Sequence, residues 1–226
     1  LYEGGWACLH WPQVYGGRGS TPIERVIWGQ EVSKFKIPGG FFEIGQGMAG
    51  PVLMMYAHEE QKKRFLPPMA KGEEIWCQLF SEPGAGSDLA GLKTKSVLEG
   101  DTWTINGQKI WTSGAHYSDY GILVTRSDPS AQKHKGLTYF FLDMKSPGVE
   151  VSPIKQISGG ANFNEVYFTD VKIPDEQRLG AVGNGWKVAL TTLMNERLAL
   201  GDASGPDFQE AFNLACGYDL TGDLAI

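Results

Sequence analysis

The feature that most constrains the fold is a change of sequence period near Ile75. Upstream of this point, apolar residues recur at helical spacing. Downstream, as far as about residue 182, β-branched and aromatic residues nearly alternate with polar ones. Helical spacing returns after Gly183-Asn184-Gly185, in WKVALTTLMNERLAL. Helices and strands kept apart in this way favour separate layers or domains over βαβ units.

This order predicts an α+β multidomain chain. We expect a helical N-terminal domain over residues 1–74, a β-domain over 75–182 and the start of a C-terminal helical domain over 183–226. The short strands and short connections of the middle segment favour a β-sandwich or barrel. The chain has no initiator Met and stops soon after its third segment begins, so we expect a fragment with incomplete first and last domains.

Local signals place several element boundaries. Residues 21–24, TPIE, form a capping box with a proline at the first helical position, and Ile23, Ile27 and Trp28 follow at helical spacing. AHEEQKKRFLPPMAKGEE predicts a charged surface helix that stops at Pro67-Pro68. In the middle segment, turns are expected at residues 99–101 and at Asn106-Gly107, a strong hairpin dipeptide.

Composition excludes several classes of function. The net charge is -6 and there is no long basic run, which argues against nucleic acid and anionic membranes as partners. No apolar run is long enough for membrane insertion. Cys8, Cys77 and Cys216 lie far apart without metal-ligand spacing, so we expect no metal site and reduced thiols in a cytoplasm-like compartment.

The glycine-containing stretch QLFSEPGAGSDLAG, residues 78–91, has two interpretations. It is not a dinucleotide fingerprint, because Leu89 occupies the third glycine position and a strand pattern follows. Successive backbone N–H groups in such a turn, together with the Ser87 hydroxyl, can bind an anion. The alternative is a tight connection in which Asp88 caps a helix.

The last helical segment carries charges on an expected apolar face. On a helical wheel, Trp186, Leu190, Leu193 and Leu200 form one stripe, with Arg197 inside it and Glu196 at its edge. Charges there require an ion-pair network, an earlier helix end or a polar ligand. With a ligand present, Glu196 would suit a general base.

Other candidate groups follow the middle of the β-domain. Trp111 and Ser113, in KIWTSG, could stack on and hydrogen-bond to a flat cofactor, although by default a large aromatic residue such as Trp111 belongs to the core. His116 could act as a base or be structural. Residues 133–135 form a polar loop that is either solvated or contacts a phosphorylated ligand.

Four motifs, taken in order, resemble the acyl-CoA dehydrogenase flavoprotein family. They are EEQKKRFLPPMAKGE, LFSEPGAGSDLAG, NGQKIWTSGAHYSDYGILVTR and FNEVYFTDVKIPDE. The resemblance covers nearly all of residues 1 to about 200. It implies helices, a β-domain and a four-helix bundle, with FAD between the β-domain and the bundle. Phe80 departs from the smaller aliphatic residue common in the signature, and residues 201–212 depart from the usual continuation.

The resemblance also implies residue roles. Glu196 matches the catalytic base of the isovaleryl and long-chain enzymes, whereas most members carry that base later in the bundle. Ser87 and Arg197 match substrate-contacting positions, and Ser113 stands where the family usually has Thr, near flavin N5. The implied cofactor-binding residues are Gln78, Leu79, Phe80, Ser81, Gly86, Ser87, Trp111, Thr112 and Ser113.

The implied reaction is α,β-dehydrogenation of an acyl-CoA thioester in fatty acid or lipid metabolism. Electrons would pass to an electron-transfer flavoprotein, and the assembly would be a homotetramer or a hetero-oligomer. The location would be the bacterial cytoplasm or, in a eukaryote, the mitochondrial matrix. The alternatives are an acyl-CoA oxidase, a flavin monooxygenase on the same scaffold, or a non-catalytic subunit that contributes part of a FAD site.

Overall fold

A computed structural model describes residues 1–35, 40–200 and 208–218, with only the backbone described for 198–200. The α-helices are α1 (Pro22–Val32), α2 (Gly50–Tyr56), α3 (Glu59–Lys71), α4 (Gly185–Leu200) and α5 (Phe208–Gly217). The strands are β1 (Trp76–Leu79), β2 (Lys95–Glu99), β3 (Thr102–Ser113), β4 (Tyr120–Arg126), β5 (Leu137–Asp143), β6 (Val149–Ile154) and β7 (Phe163–Pro174). The predicted order of helices, strands and helices is confirmed.

The strands form one curled seven-stranded sheet in the order β1-β4-β2-β3-β7-β6, with β5 paired to β4. The pairs β3–β7 and β6–β7 are antiparallel, whereas β1 runs parallel to β4. Strand β1 stands at the end of this order, and its parallel pairing with β4 fixes the direction in which its C-terminal end points. The loop that follows β1 therefore starts from a fixed position.

Two cores lie on opposite faces of the sheet, and strand β5 contributes to both. Leu137, Tyr139 and Phe141 pack with the helices in one cluster, while Phe140 and Leu142 pack in the other. Successive side chains of a strand point to opposite faces, so a strand that is buried on both faces is mostly apolar, and Thr138 is the buried polar exception in β5. Burial of each such large apolar side chain contributes about 1.5–3 kcal/mol.

The N-terminal helices agree with the sequence in part. The capping box of α1 is present: Thr21 Oγ1 accepts from the Glu24 amide, and Glu24 accepts from the Thr21 amide at 2.7 Å. The predicted stop of α3 at Pro67-Pro68 is wrong, because the helix continues to Lys71. Pro67 and Pro68 lack backbone N–H groups, but the last turn is stabilised in other ways. Met69 and Ala70 are buried there, and Gly72 ends the helix with a left-handed cap.

The turn at residues 99–101 is confirmed, because it joins β2 to β3, but the turn expected at Asn106-Gly107 is wrong. Both residues lie inside β3, opposite an extra residue in β7 that shifts the register. The Asn106 side-chain amide donates to Asp170 Oδ1, and Asn106 Oδ1 accepts from the Asp170 amide, both at 3.0 Å. Gly107 has φ 151, and a Cβ there would lie 2.7 Å from Thr94 Cα. The dipeptide thus serves a bulge and a close backbone approach instead of a hairpin.

Candidate functional site

Strand β1 presents Gln78 to the helices. Trp76 and Phe80 belong to the core on the helical side, and Leu79 to the opposite core, so strand alternation directs Gln78 to the helical side as well. Its Nε2 donates to Glu196 Oε2 at 3.1 Å. This hydrogen bond joins the first predicted motif to the charged segment of α4.

The apolar face assigned to α4 from the wheel is correct only in part, because Trp186 and Leu193 pack against the core but Leu190 does not. Val188, Ala189 and Thr192 are fully buried, whereas Leu190 is 43% exposed. The reason is close packing: a Cβ at Gly185 would lie 2.7 Å from the Thr138 amide, so the face with small residues is the one that meets β5. Glu196 follows Thr192 by four residues and therefore lies on this packed face.

The substrate contact expected of Arg197 falls on a different side of α4. Arg197 is exposed, whereas Glu196 is half-buried. Helical geometry places adjacent residues about 100° apart. The two charges expected to work together therefore point in different directions, and only Glu196 faces the sheet.

The end of β1 is bonded to β3. The Phe80 carbonyl accepts from Lys109 Nζ at 3.0 Å, and the Ser81 carbonyl accepts from the Ile110 amide at 2.9 Å. The side chains of Leu79 and Phe80 are buried in the two cores, so only their backbone atoms can reach a ligand. The motifs around Gln78 and Trp111 are therefore neighbours, although 33 residues of sequence separate them.

The loop of residues 82–88, which follows β1, begins with a tight turn and continues with exposed polar groups. Glu82 and Ala85 exchange two backbone hydrogen bonds, of 2.9 and 3.0 Å. Gly86 and Ser87 are exposed, and within the described part of the chain neither their amides nor the Ser87 hydroxyl has a hydrogen-bond partner. Asp88 does not cap the following 3-10 turn with its side chain but pairs with Lys133.

Trp111 lies in a strained, exposed bulge at the end of β3. The strand carries one extra residue between Lys109 and Thr112, and Trp111 has φ 59, an uncommon conformation for a bulky residue. Its ring is 58% exposed and makes an edge contact with Phe163. Trp111 is therefore not a core residue.

The two residues after Trp111 point in different directions, one into the protein and one towards solvent. Ser113 is exposed, whereas Thr112 is buried, and the Thr112 Oγ1 lacks a hydrogen-bond partner among the described residues. The Thr112 carbonyl accepts from Asn164 Nδ2 at 2.9 Å, and Asn164 Oδ1 lies 3.0 Å from His116 Nδ1. His116 thus has a structural partner in this bulge.

These groups fit the flavin that the sequence resemblance implies. The exposed Trp111 ring offers a flat stacking surface. The Ser87 and Ser113 hydroxyls, which have no hydrogen-bond partner among the described residues, can bond to the polar edge of a ring or to a phosphate. Two cavities, of about 880 and 990 Å³, lie instead among N-terminal residues and include none of the predicted site residues. The described residues contain no cluster suited to a metal ion and no helix able to cross a membrane.

Sequence reasoning missed the buried ion pair between Glu82 and Lys109. Lys109 Nζ lies 2.8 Å from Glu82 Oε1, and the Lys109 side chain is 0% exposed. The sequence contained a signal for this pair. Lys109 follows Trp103 and Ile105 by even numbers of positions, so strand alternation places its side chain on the same buried face of β3. A lysine on that face requires a buried acidic partner.

Two family models match the chain: the acyl-CoA dehydrogenase N-terminal domain over residues 1–73 and the middle domain over residues 77–171. Acyl-CoA dehydrogenase FadE34 of Mycobacterium tuberculosis is 46% identical over 97% of this chain and 31% of the relative. Acyl-CoA dehydrogenase IpdE1 of the same organism is 43% identical over 87% of this chain. The chain spans about a third of the first relative and 51% of the second.

Solved structures agree with these sequence matches. The steroid ACAD Tcur3481-Tcur3483 superposes with a TM-score of 0.86 at 35% identity, over 98% of this chain and 57% of that one. The ChsE4-ChsE5 complex from Mycobacterium tuberculosis superposes with a TM-score of 0.76 at 34% identity, over 85% of this chain and 49% of that one. Together with the motifs and the fold, these matches show that the chain belongs to the acyl-CoA dehydrogenase family.

Proposed function

We propose that the protein catalyses the FAD-dependent α,β-dehydrogenation of an acyl-CoA thioester, with Glu196 as the base. The observation that carries the proposal is the 3.1 Å hydrogen bond between Gln78 and Glu196. It holds a carboxylate beside the end of β1, which is itself bonded to the strand that carries Trp111 and Ser113. A base and a cofactor surface on adjoining elements are what removal of a proton and a hydride from neighbouring carbons requires.

The residues of this chain have separable tasks in the proposed reaction. Glu196 accepts the α-proton of the thioester, and Gln78 orients its carboxylate. Trp111 and Ser113 contact the cofactor, and Ser87 contacts cofactor and substrate. When bound beside these residues, FAD would supply the acceptor for the β-hydride. Arg197, which is exposed in the described chain, binds a part of the substrate that extends away from the sheet.

The proposed setting follows from the relatives. Those named above are bacterial, which supports a bacterial cytoplasmic location, and we propose an electron-transfer flavoprotein as the electron acceptor. Two of the similar structures carry paired names, Tcur3481-Tcur3483 and ChsE4-ChsE5. This pairing favours a second candidate function, in which the chain is the FAD-site subunit of a hetero-oligomer and another carboxylate is the base.

Substitution of Glu196 by Gln in the complete protein tests the assignment. Loss of a general base costs roughly 10²–10⁴-fold in rate, so bleaching of the flavin by acyl-CoA should slow by about that factor. The panel should contain straight-chain, branched and steroid side-chain thioesters, since one similar protein is described as a steroid ACAD. Glu60→Gln, at an exposed position on α3, is the control and should bleach at the parent rate.

Three other results would redirect the proposal. Bleaching of E196Q at the parent rate would exclude Glu196 as the base and favour the FAD-site subunit. Rapid release of hydrogen peroxide by the parent would indicate an oxidase. A purified complete protein without a flavin absorbance band would contradict FAD binding.

A further inference from the structure

The Glu82–Lys109 pair joins three separate segments of backbone. Lys109 Nζ donates to the Phe80 carbonyl at the end of β1 and to Glu82 Oε1 at 2.8 Å. The Glu82 carboxylate also accepts from the amides of Lys93, at 2.6 Å, and Thr94, at 2.9 Å, just before β2. A single buried pair therefore ties the end of β1, the start of β2 and the middle of β3 together.

Each residue of the pair lies close in sequence to a group of the candidate site. Glu82 opens the tight turn that precedes Gly86 and Ser87. Lys109 comes two residues before Trp111, at the start of the bulge. A left-handed bulky residue persists only where the surrounding structure fixes it, and the Lys109 side chain fixes the strand on the near side of the bulge.

Stability alone does not account for the pair. Removal of two charges from water opposes folding, and apolar replacements of similar size often leave stability unchanged or raise it. Burial raises the pKa of Glu82, but the charge and hydrogen bonds of Lys109 outweigh this effect, so the pKa lies below its usual value and the carboxylate is ionised at neutral pH. The pair thus supplies directed, charge-assisted hydrogen bonds that an apolar core cannot supply.

We propose that the buried Glu82–Lys109 pair is a positioning element, which holds the 82–88 loop and the left-handed Trp111 bulge in the arrangement that ligand binding requires. The two residues act through Ser87 and Trp111, without contact to the ligand. The part of the inference that concerns the ligand rests on the proposed function; the part that concerns the loop and bulge does not.

The test uses Glu82→Gln/Lys109→Met, which removes both charges together so that neither remains buried and unpaired. Hydrogen exchange of the complete protein should accelerate at least tenfold in peptides covering residues 81–88 and 108–114, and remain unchanged in β5. The dissociation constant for added FAD should rise at least tenfold, while the urea midpoint stays near that of the parent. Lys145→Met is the matched control, because the Lys145–Asp119 pair is at the surface, and it should change none of these values.

Each outcome bears on the proposal. Unchanged exchange in both peptides would overturn it, and so would an equal acceleration throughout the β-domain, which would mark the pair as a general core element. If the double variant does not fold, Glu82→Gln/Lys109→Gln, which also removes both charges but keeps a polar side chain at each position, gives the same readouts. If the parent binds no FAD but the two peptides still loosen, the cofactor assignment fails while the positioning role stands.

Discussion

Gln78 Nε2 donates a 3.1 Å hydrogen bond to Glu196 Oε2, and it thereby connects β1 to α4 across 118 residues of sequence. Because the bond is part-buried, its loss changes the orientation of the Glu196 carboxylate more than it changes global stability. In the complete protein, Gln78→Leu should lower kcat about tenfold, which corresponds to about 1.4 kcal/mol, with KM nearly unchanged. Steady-state kinetics over the acyl-CoA panel provide the measurement.

Thr192→Val is the control for this prediction. It removes the buried Tyr139–Thr192 hydrogen bond of 2.8 Å one turn before Glu196. The free energy of unfolding should fall by about 1–3 kcal/mol because the Tyr139 hydroxyl loses its partner, while kcat stays at the parent value. A parent-like kcat in Gln78→Leu would show that the hydrogen bond does not orient the base.

The left-handed conformation of Trp111 predicts an unusual order of stability. Any residue with a Cβ is strained there by about 1–2 kcal/mol, whereas glycine is not. Trp111→Gly should therefore be at least as stable as Trp111→Ala, the reverse of the usual order within a strand. Urea unfolding of both variants measures this, and a clearly more stable alanine variant would contradict the left-handed backbone.

Two glycines should differ sharply in their response to alanine. At Gly107 the backbone is left-handed and Thr94 is in the way, so Gly107→Ala should destabilise the protein by about 1–3 kcal/mol or more. Gly86 has an ordinary φ and open space around its Cβ position, so Gly86→Ala should be nearly neutral for stability. Thermal unfolding of the pair tests this, and equal Tm values would refute it.

Acid should weaken the protein in part through Asp175. Hydrogen bonds from Arg178 and Trp103, opposed by partial burial, lower the pKa of this carboxyl from 3.8 to about 2. Because the folded-state pKa is the lower one, the contribution to stability is complete above about pH 5 and is lost as pH falls from about 4 towards 2. The difference in urea midpoint between the parent and Asp175→Asn should therefore be constant near neutral pH and shrink below pH 4.

Arg178→Lys is an informative partner for that experiment. Arg178 bonds both oxygens of Asp175, at 2.8 Å each, a geometry that lysine cannot reproduce. With lysine at position 178, the change in urea midpoint caused by Asp175→Asn should therefore depend less on pH than it does in the parent. If the change in urea midpoint caused by Asp175→Asn is the same at every pH, both in the parent and in Arg178→Lys, protonation of Asp175 is not linked to folding.

Sequence periodicity predicted the fold better than it predicted faces and turns. The change of period near Ile75 and the capping box at Thr21 report local backbone preferences, which the tertiary structure retained. The buried face of α4 depends on how closely Gly185 can approach β5, and a helical wheel carries no information about the distance between two elements. Asn106-Gly107 favours a hairpin in isolation, but pairing along the whole of β3 with β7 overrides that preference.

In the candidate site, too, local patterns could be predicted from the sequence, whereas contacts set by tertiary packing could not. Trp111 was an ambiguous aromatic in sequence, and only its bulge explains why it is exposed. The Gln78–Glu196 contact could not come from local pattern, since it depends on the packing of two distant elements. The Glu82–Lys109 pair could have been found, because a lysine in an inward-facing strand phase requires a buried carboxylate.

The position of Asn106-Gly107 inside β3 has a consequence for the chemical ageing of the chain. In an open turn, the backbone nitrogen that follows an asparagine attacks its side-chain carbonyl and expels ammonia, and water then opens the resulting succinimide ring to aspartate or isoaspartate. Here Asp170 holds the Asn106 amide on both sides, and the paired strands prevent the backbone rotation that the attack requires. The Asn106-Gly107 dipeptide, of a type that is ordinarily labile, is thereby protected for as long as β3 and β7 stay paired.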